Sequence, residues 1–300
     1  MSLNMRLSKL FSKSNKQSQI GLCFRQHSIA CCSVLDDGSI NFNELAALDK
    51  NYSPALKSLS KDLSLSGQCH LVLSAQQSQI VQIDKPNIPN DELKEALKWQ
   101  IKDLVSIEPN DMVLDYFDAP MTSGGIEKVH VVCASKAELS PYVEQLIDNG
   151  FSVKSISIEE FAFSSLVPQS DDAILLVCQQ PNEEILLLIV KKNKLFFYRR
   201  LRGMANIASK SEEELSMSVV DALSLEIQRS TDYYERQLKQ APIRSIEVLI
   251  PMKNEAFLAR KLAENAHVPV NIFTVPDAIT HARDCSACFG ASQLTHMEEL

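Results

Sequence analysis

The amino-acid sequence predicts an α/β chain of two lobes. Three observations carry this. Strand-like apolar runs and helical stripes follow in the order strands, helix, strand, helix, and that order occurs twice. A polar, proline-marked break at 168–172 (PQSDD) separates the two series. The length, 300 residues with 45% hydrophobic, is enough for two cores. The expected division is a basic start (1–17), a first lobe (18–170) with an inserted subdomain over about 84–155, and a second lobe (171–300).

In the first lobe, 19–42 reads as strands with a turn at Asp36-Asp37-Gly38. Residues 54–65 put Leu56, Leu59 and Leu63 on one helical face, 70–74 is a buried strand, and 80–83 alternates. Asn90 begins a helix, with Asp91 and Glu92 at the positive end of its dipole. Leu93, Leu97, Ile101, Leu104 and Val105 form its apolar stripe, Trp99 lies off it, and Pro109 ends it. Strands at 112–120 and 127–135 are joined by a loop holding Gly124-Gly125. A helix over 136–149 closes on Gly150. A strand (151–159) and a helix (161–167) complete the lobe.

The second lobe opens with strands at 173–178, 183–190 and 194–201, the last two joined by a tight turn. The long helix over 211–239 starts at a capping box, Ser211 with Glu214. Leu215, Val219, Leu223 and Ile227 line one face, continued by Tyr234 and Leu238. A strand (245–251), a helix (255–265), a strand (270–275) and one last helix (278–294) follow.

The formal charge is −8, from 30 basic and 38 acidic residues. Residues 1–16 hold Arg6, Lys9, Lys13 and Lys16 with no acid, so the body is more acidic still and lacks the basic footprint of a nucleic-acid binder. Leu3, Leu7, Leu10 and Phe11 share a helical face there, which suits an anionic membrane surface or a segment ordered only by a partner. No run reads as a secretory signal or a bilayer span, so the expectation is a soluble, cytoplasmic protein. Only eight residues are glycine, well below the usual share of roughly 7%. Neither G-x-G-x-x-G nor G-x-x-x-x-G-K-[ST] can be written anywhere, which excludes glycine-loop nucleotide enzymes. The eight cysteines read as reduced thiols, and Cys285-x-x-Cys288, flanked by His281 and His296, reads as helix packing rather than a zinc module. The carboxylate clusters Glu159-Glu160, Glu183-Glu184 and Glu212-Glu213-Glu214 read as solvated faces or dipole partners.

Three strings carry a family resemblance. They are IPNDELKEALKWQIKDLVSIEPNDMVLDY (88–116), LSLEIQRSTDYYERQ (223–237), and the strand series AILLVCQQPNEEILLLIVKKNKLFFYRRL from 173. They resemble the PilM family of type IV pilus assembly proteins, and the likeness extends over about 18–294. The chain's size and its cysteine-rich first strands are similar to members serving the mannose-sensitive haemagglutinin (MSHA) pilus. The resemblance implies a bilobal actin-like ATPase fold, similar to FtsA and PilM, with a subdomain inserted in the first lobe. It also implies an ATP–Mg²⁺ cleft resting on two phosphate-gripping hairpins and a glycine-rich adenosine loop.

This sequence departs from that pattern in all three places. In the first hairpin Cys23 stands where the family has a metal-organising Asp, Arg25 where it has a glycine, and Ala30 where it has a Lys. In the second, Cys178-Gln179-Gln180 replaces Asp-Ile-Gly, and the adenosine loop reads Pro251-Met252-Lys253. Hard oxygen ligands and close backbone amides are thereby lost, and the cleft reads as degenerate, without cofactor or metal. One reading is therefore a non-catalytic cytoplasmic adaptor at the inner membrane. It would dock the cytoplasmic N-terminal peptide of a PilN-like protein, with a pilus assembly ATPase as a further partner. Leu97, Ile101, Leu104 and Ile107 are then the groove candidates, or else only the core stripe of their helix. The other reading is an ATPase with altered contacts, in which Arg25 meets phosphate and Glu226 and Arg229 reach a ribose.

Overall fold

The computed structural model describes residues 19–35, 38–48, 51–61, 67–120 and 125–294. The basic start, Asp36 and Asp37 of the expected turn, the end of the 54–65 pattern, Gly124 and His296 lie outside the described residues. Two five-stranded sheets with one topology form the body. The first is ordered β3-β2-β1-β4-β8, from β1 (Gln19–Phe24), β2 (Ser28–Val34), β3 (Ile40–Ala46), β4 (Gly67–Leu73) and β8 (Phe151–Ile158). The second is ordered β11-β10-β9-β12-β13, from β9 (Ile174–Cys178), β10 (Ile185–Lys191), β11 (Lys194–Leu201), β12 (Ser245–Leu249) and β13 (Val270–Ile272). In each, the first three strands in sequence are antiparallel and the last two join in parallel. The order read twice in the sequence is thus one architecture built twice.

Local rules account for the joints. Lys192 and Asn193, at φ 52° and 58°, make the β10–β11 hairpin turn, where both central residues must be left-handed. Gly150, at φ 88°, follows α3 (Lys136–Asp148) and frees the chain to enter β8. Ser211 and Glu214 form the expected capping box, opening a helical stretch over 212–237. That stretch comprises α5 (Glu212–Glu214), a π turn (Leu215–Val219), α6 (Val220–Asp232) and a second π turn (Tyr233–Gln237). Its apolar face and α7 (Glu255–Asn265) cover the outer side of the second sheet. On the first sheet, α1 (Ser53–Lys61) and α3 do the same.

A third, smaller sheet is inserted in the first lobe, in the order β5-β7-β6, from β5 (Gln79–Asp84), β6 (Met112–Asp118) and β7 (Lys128–Ser135). The helix described within this insertion, α2 (Asn90–Ile101), starts with Pro89 rather than Asn90 in the cap position. The insertion therefore spans 79–135, not 84–155, because α3 and β8 return to the first sheet. The last expected helix, 278–294, is also revised: 3₁₀ turns at Asp277–Ile279 and Arg283–Cys285 precede α8 (Ser286–Ser292).

Two short helices cross between the lobes. α4 (Glu159–Ser164) leaves the first lobe and packs under the second, while α8 packs back on β1 and on α4. One core cluster consequently spans the junction, with Cys23, Cys32, Cys178 and Cys288 all at 0% exposure. The eight cysteines are free and buried. Burial pushes the thiols of Cys31, Cys32, Cys69, Cys178 and Cys288 far above their ordinary pKa, so they act as small apolar groups. Two scarce glycines serve this crossing. A Cβ on Gly21 would lie 1.8 Å from the Cys288 carbonyl oxygen, and one on Gly290 would lie 1.9 Å from that of Ala162.

Candidate functional site

Cys23 and Cys178 occupy matching places, each near the end of the central strand of its sheet, and the turns after them meet between the lobes. Arg25 lies in the first turn and is buried at 2% exposure. Its Nε donates to Gln180 Oε1 at 3.1 Å, its Nη1 to Glu44 Oε1 at 2.9 Å, and its Nη2 to the Asp284 carbonyl. Gln180, equally buried, donates its side-chain N–H to Glu159 Oε1 on α4. Glu159 and Glu160 both pair with Arg200 of β11, at 2.6 and 2.9 Å. A second link runs from the Gln26 backbone N–H to Glu183 Oε1 at 2.8 Å.

These carboxylates correct one half of an expectation, since Glu159 and Glu160 do stand in the first turn of α4. Glu159, Glu160 and Glu183 are not solvated, being 2%, 3% and 6% exposed. Burial opposes the Arg200 charge, but the two carboxylates hold it protonated. Burial, then the nearby Glu159, pushes the Glu183 carboxyl up to about 7. The sequence signal for this cluster is slight: two adjacent acids at 159–160 and, 41 positions after Glu159, Arg200, the arginine that meets both. Glu212, Glu213 and Glu214 are exposed, as read.

The remaining cleft positions lie apart from that chain. Arg199, on the other face of β11, pairs with Glu226 at 2.9 Å, and Arg229 pairs with the same carboxylate. Glu226 and Arg229 thus belong to the outer helix–strand face, opposite the side on which Arg200 meets Glu159. Met252 packs against the second lobe's outer core. Just beyond it, Glu255 accepts from the Ile250 backbone N–H and pairs with Arg283 at 2.8 Å. Magnesium–ATP of the kind the resemblance implies does not fit here. The hairpin positions offer thiols without exposed surface, and the Arg25 guanidinium is already bonded to three protein acceptors. Among the described residues, no three acidic, His or Cys side chains converge as a metal site requires.

A different concavity is open. It holds about 610 Å³ between β6 of the small sheet and β8 of the first sheet, with α3 along one side. Among the described residues both strands are sheet edges, each paired on one side only. Leu73, Leu139, Val143, Ile158, Phe117 and Phe161 make an apolar floor, and Asp115, Lys136 and Glu144 stand among its polar lining. Val113 and Ile156, 40% and 44% exposed, are large apolar residues of the same lining. Phe117 stacks on His130, whose ring meets Tyr198 of β11 at 5.2 Å, so the floor abuts the second lobe. Burial lowers the His130 pKa to about 4 and leaves it neutral.

None of the four residues expected to wall a groove lies here. Leu97 and Ile101 have no exposed surface and form the small sheet's own core with Leu93 and Val131. Ile107 packs on that same core, and Leu104 is exposed at 57%. Of the stripe, Leu93, Leu97 and Ile101 are core, whereas Leu104 lies past the end of α2 and is exposed. The part of 88–116 that reaches the groove is its final strand, from Val113 to Tyr116.

No protein-family model and no curated protein matches the chain. Solved structures do. One is a chain of the PilM–PilN type IV pilus biogenesis complex, with TM-score 0.66 and 14% identity, covering 91% of this chain and 97% of that one. A second is the cytoplasmic domain of EpsL, an inner-membrane component of the Vibrio cholerae type II secretion system (TM-score 0.50, 12% identity, 83% and 96% covered). A third, from Bacteroides thetaiotaomicron, is a protein of unknown function with an actin-like ATPase fold (TM-score 0.50, 11% identity, 87% and 92% covered). With its two matched sheets, crossing helices and inserted layer, the chain has the actin-like ATPase fold.

Proposed function

We propose that this protein is a non-catalytic, PilM-like scaffold of a type IV pilus assembly machine, of the MSHA type. It would act at the cytoplasmic face of the inner membrane by docking the cytoplasmic N-terminal peptide of a PilN-like partner. The observation that carries the docking reading is the groove between β6 and β8. Two strands that are sheet edges among the described residues flank an apolar floor, which suits an extended segment that adds main-chain hydrogen bonds and seats alternate side chains. The fold likeness to a chain of the PilM–PilN complex supports the choice of partner. The absence of catalysis is supported by the hairpin turns, where Arg25 and Gln180 are committed to each other. The pilus assembly ATPase is a further proposed partner, and residues 1–16, with four basic residues and no acid, are proposed to touch the membrane surface.

Calorimetry tests both halves. The partner's cytoplasmic peptide is expected to bind saturably to the full chain, and Mg²⁺–ATP at millimolar concentration to give no saturable heat. Failure of the peptide to bind would remove the docking reading. Saturable ATP binding would replace it with an actin-like ATPase using altered phosphate contacts.

A further inference from the structure

The junction between the lobes holds a chain of buried polar side chains that docking in the groove does not use. Burying a guanidinium is costly unless its donors are matched by acceptors. Those of Arg25 go to three segments distant in sequence: Glu44 on β3, Gln180 after β9, and the Asp284 carbonyl ahead of α8. The Tyr52 hydroxyl donates to the Arg25 carbonyl oxygen at 2.8 Å and anchors the turn to the first lobe. From Gln180 the chain continues through Glu159 to Arg200 and Glu160. Beside it, the Gln26–Glu183 bond crosses the same boundary.

We propose that Arg25 and Gln180 form a permanent interlobe clasp. The protein's own side chains hold the two lobes in one arrangement, with no small anion or nucleotide required to bridge them. Glycine at the two hairpin apices would leave a gap for a ligand. Arginine and glutamine fill it and bond across it. The second lobe thereby stays docked against α4 and the floor of the groove. The clasp stands on the geometry of the junction and holds whichever partner the groove takes.

Hydrogen–deuterium exchange on the full chain tests it. Arg25→Ala is expected to speed amide exchange in both hairpins, 24–28 and 179–184, by roughly 10-fold or more, the loss of a buried charge-assisted hydrogen bond. Millimolar methylguanidinium, filling the vacated space, should reverse much of that gain. Arg229→Ala, on the outer face, should leave both hairpins as in wild type. Adding Mg²⁺–ATP or inorganic phosphate to wild type should change neither hairpin. Unchanged exchange at 179–184 in a folded Arg25→Ala protein would overturn the clasp. So would raised exchange without methylguanidinium rescue, or a wild-type junction that tightens with phosphate or ATP. If Arg25→Ala does not fold, Gln180→Ala carries the test through exchange at 24–28, where an unchanged rate sinks the proposal. Loss of the clasp and failure of peptide binding are read by separate measurements.

Discussion

Gly21 of β1 lies against the backbone of Cys288 in α8, so closely that a Cβ on Gly21 would sit 1.8 Å from the Cys288 carbonyl oxygen. A backbone atom cannot swing aside as a flexible side chain can. Gly21→Ala is therefore expected to push α8 off the first sheet and to cost about 3 kcal/mol or more. Urea denaturation of the two proteins measures it, and a loss under about 1 kcal/mol would contradict the packing described.

Arg200 neutralises two buried carboxylates at once. Arg200→Leu should destabilise by about 3–5 kcal/mol, because Glu159 and Glu160 are left as unpaired buried charges. Adding Glu159→Gln and Glu160→Gln to the same protein should recover a large part of that loss. No recovery would mean that Arg200 acts through packing of its stem.

Glu183 sets a pH dependence. Its folded pKa, about 7, lies above the ordinary glutamate value, so the folded state holds the proton more tightly than the unfolded one. The stabilisation is fully present below about pH 4 and is lost as pH rises through about 7. The denaturation midpoint of wild type should fall between about pH 5 and pH 7, and Glu183→Gln should flatten that fall. Equal slopes in the two proteins would assign the pH effect to other groups.

Substitutions in the groove should separate binding from folding. Val113→Asp and Ile156→Asp change partly exposed side chains and should alter stability by under about 1 kcal/mol. Each should weaken the partner peptide by roughly 10-fold or more, since a charge is placed on an apolar contact surface. Leu104→Asp, outside the groove lining, should leave binding unchanged. A stronger effect at Leu104 than at Ile156 would relocate the docking surface.

Much of the fold was legible because its determinants are local. Strand runs, the Ser211–Glu214 box, Gly150 after α3 and the tight turn at Lys192-Asn193 depend on residues a few positions apart. The stripe of Leu97 and Ile101 was equally legible as periodicity, yet periodicity reports burial and not the surface a partner would meet. The groove was not legible, because it lies between edge strands of two sheets that only the fold brings side by side.

By itself the sequence determined the element order and its duplication, and it put Cys23, Arg25, Cys178, Gln180 and Met252 where the resemblance implies carboxylates and glycines. Only the tertiary structure decided what Arg25 and the paired glutamates do instead. Arg25 and Gln180 are 155 residues apart, and Arg200 and Glu159 are 41 apart. A charge in a sequence can be solvated or buried, and only a partner delivered by the fold makes burial affordable.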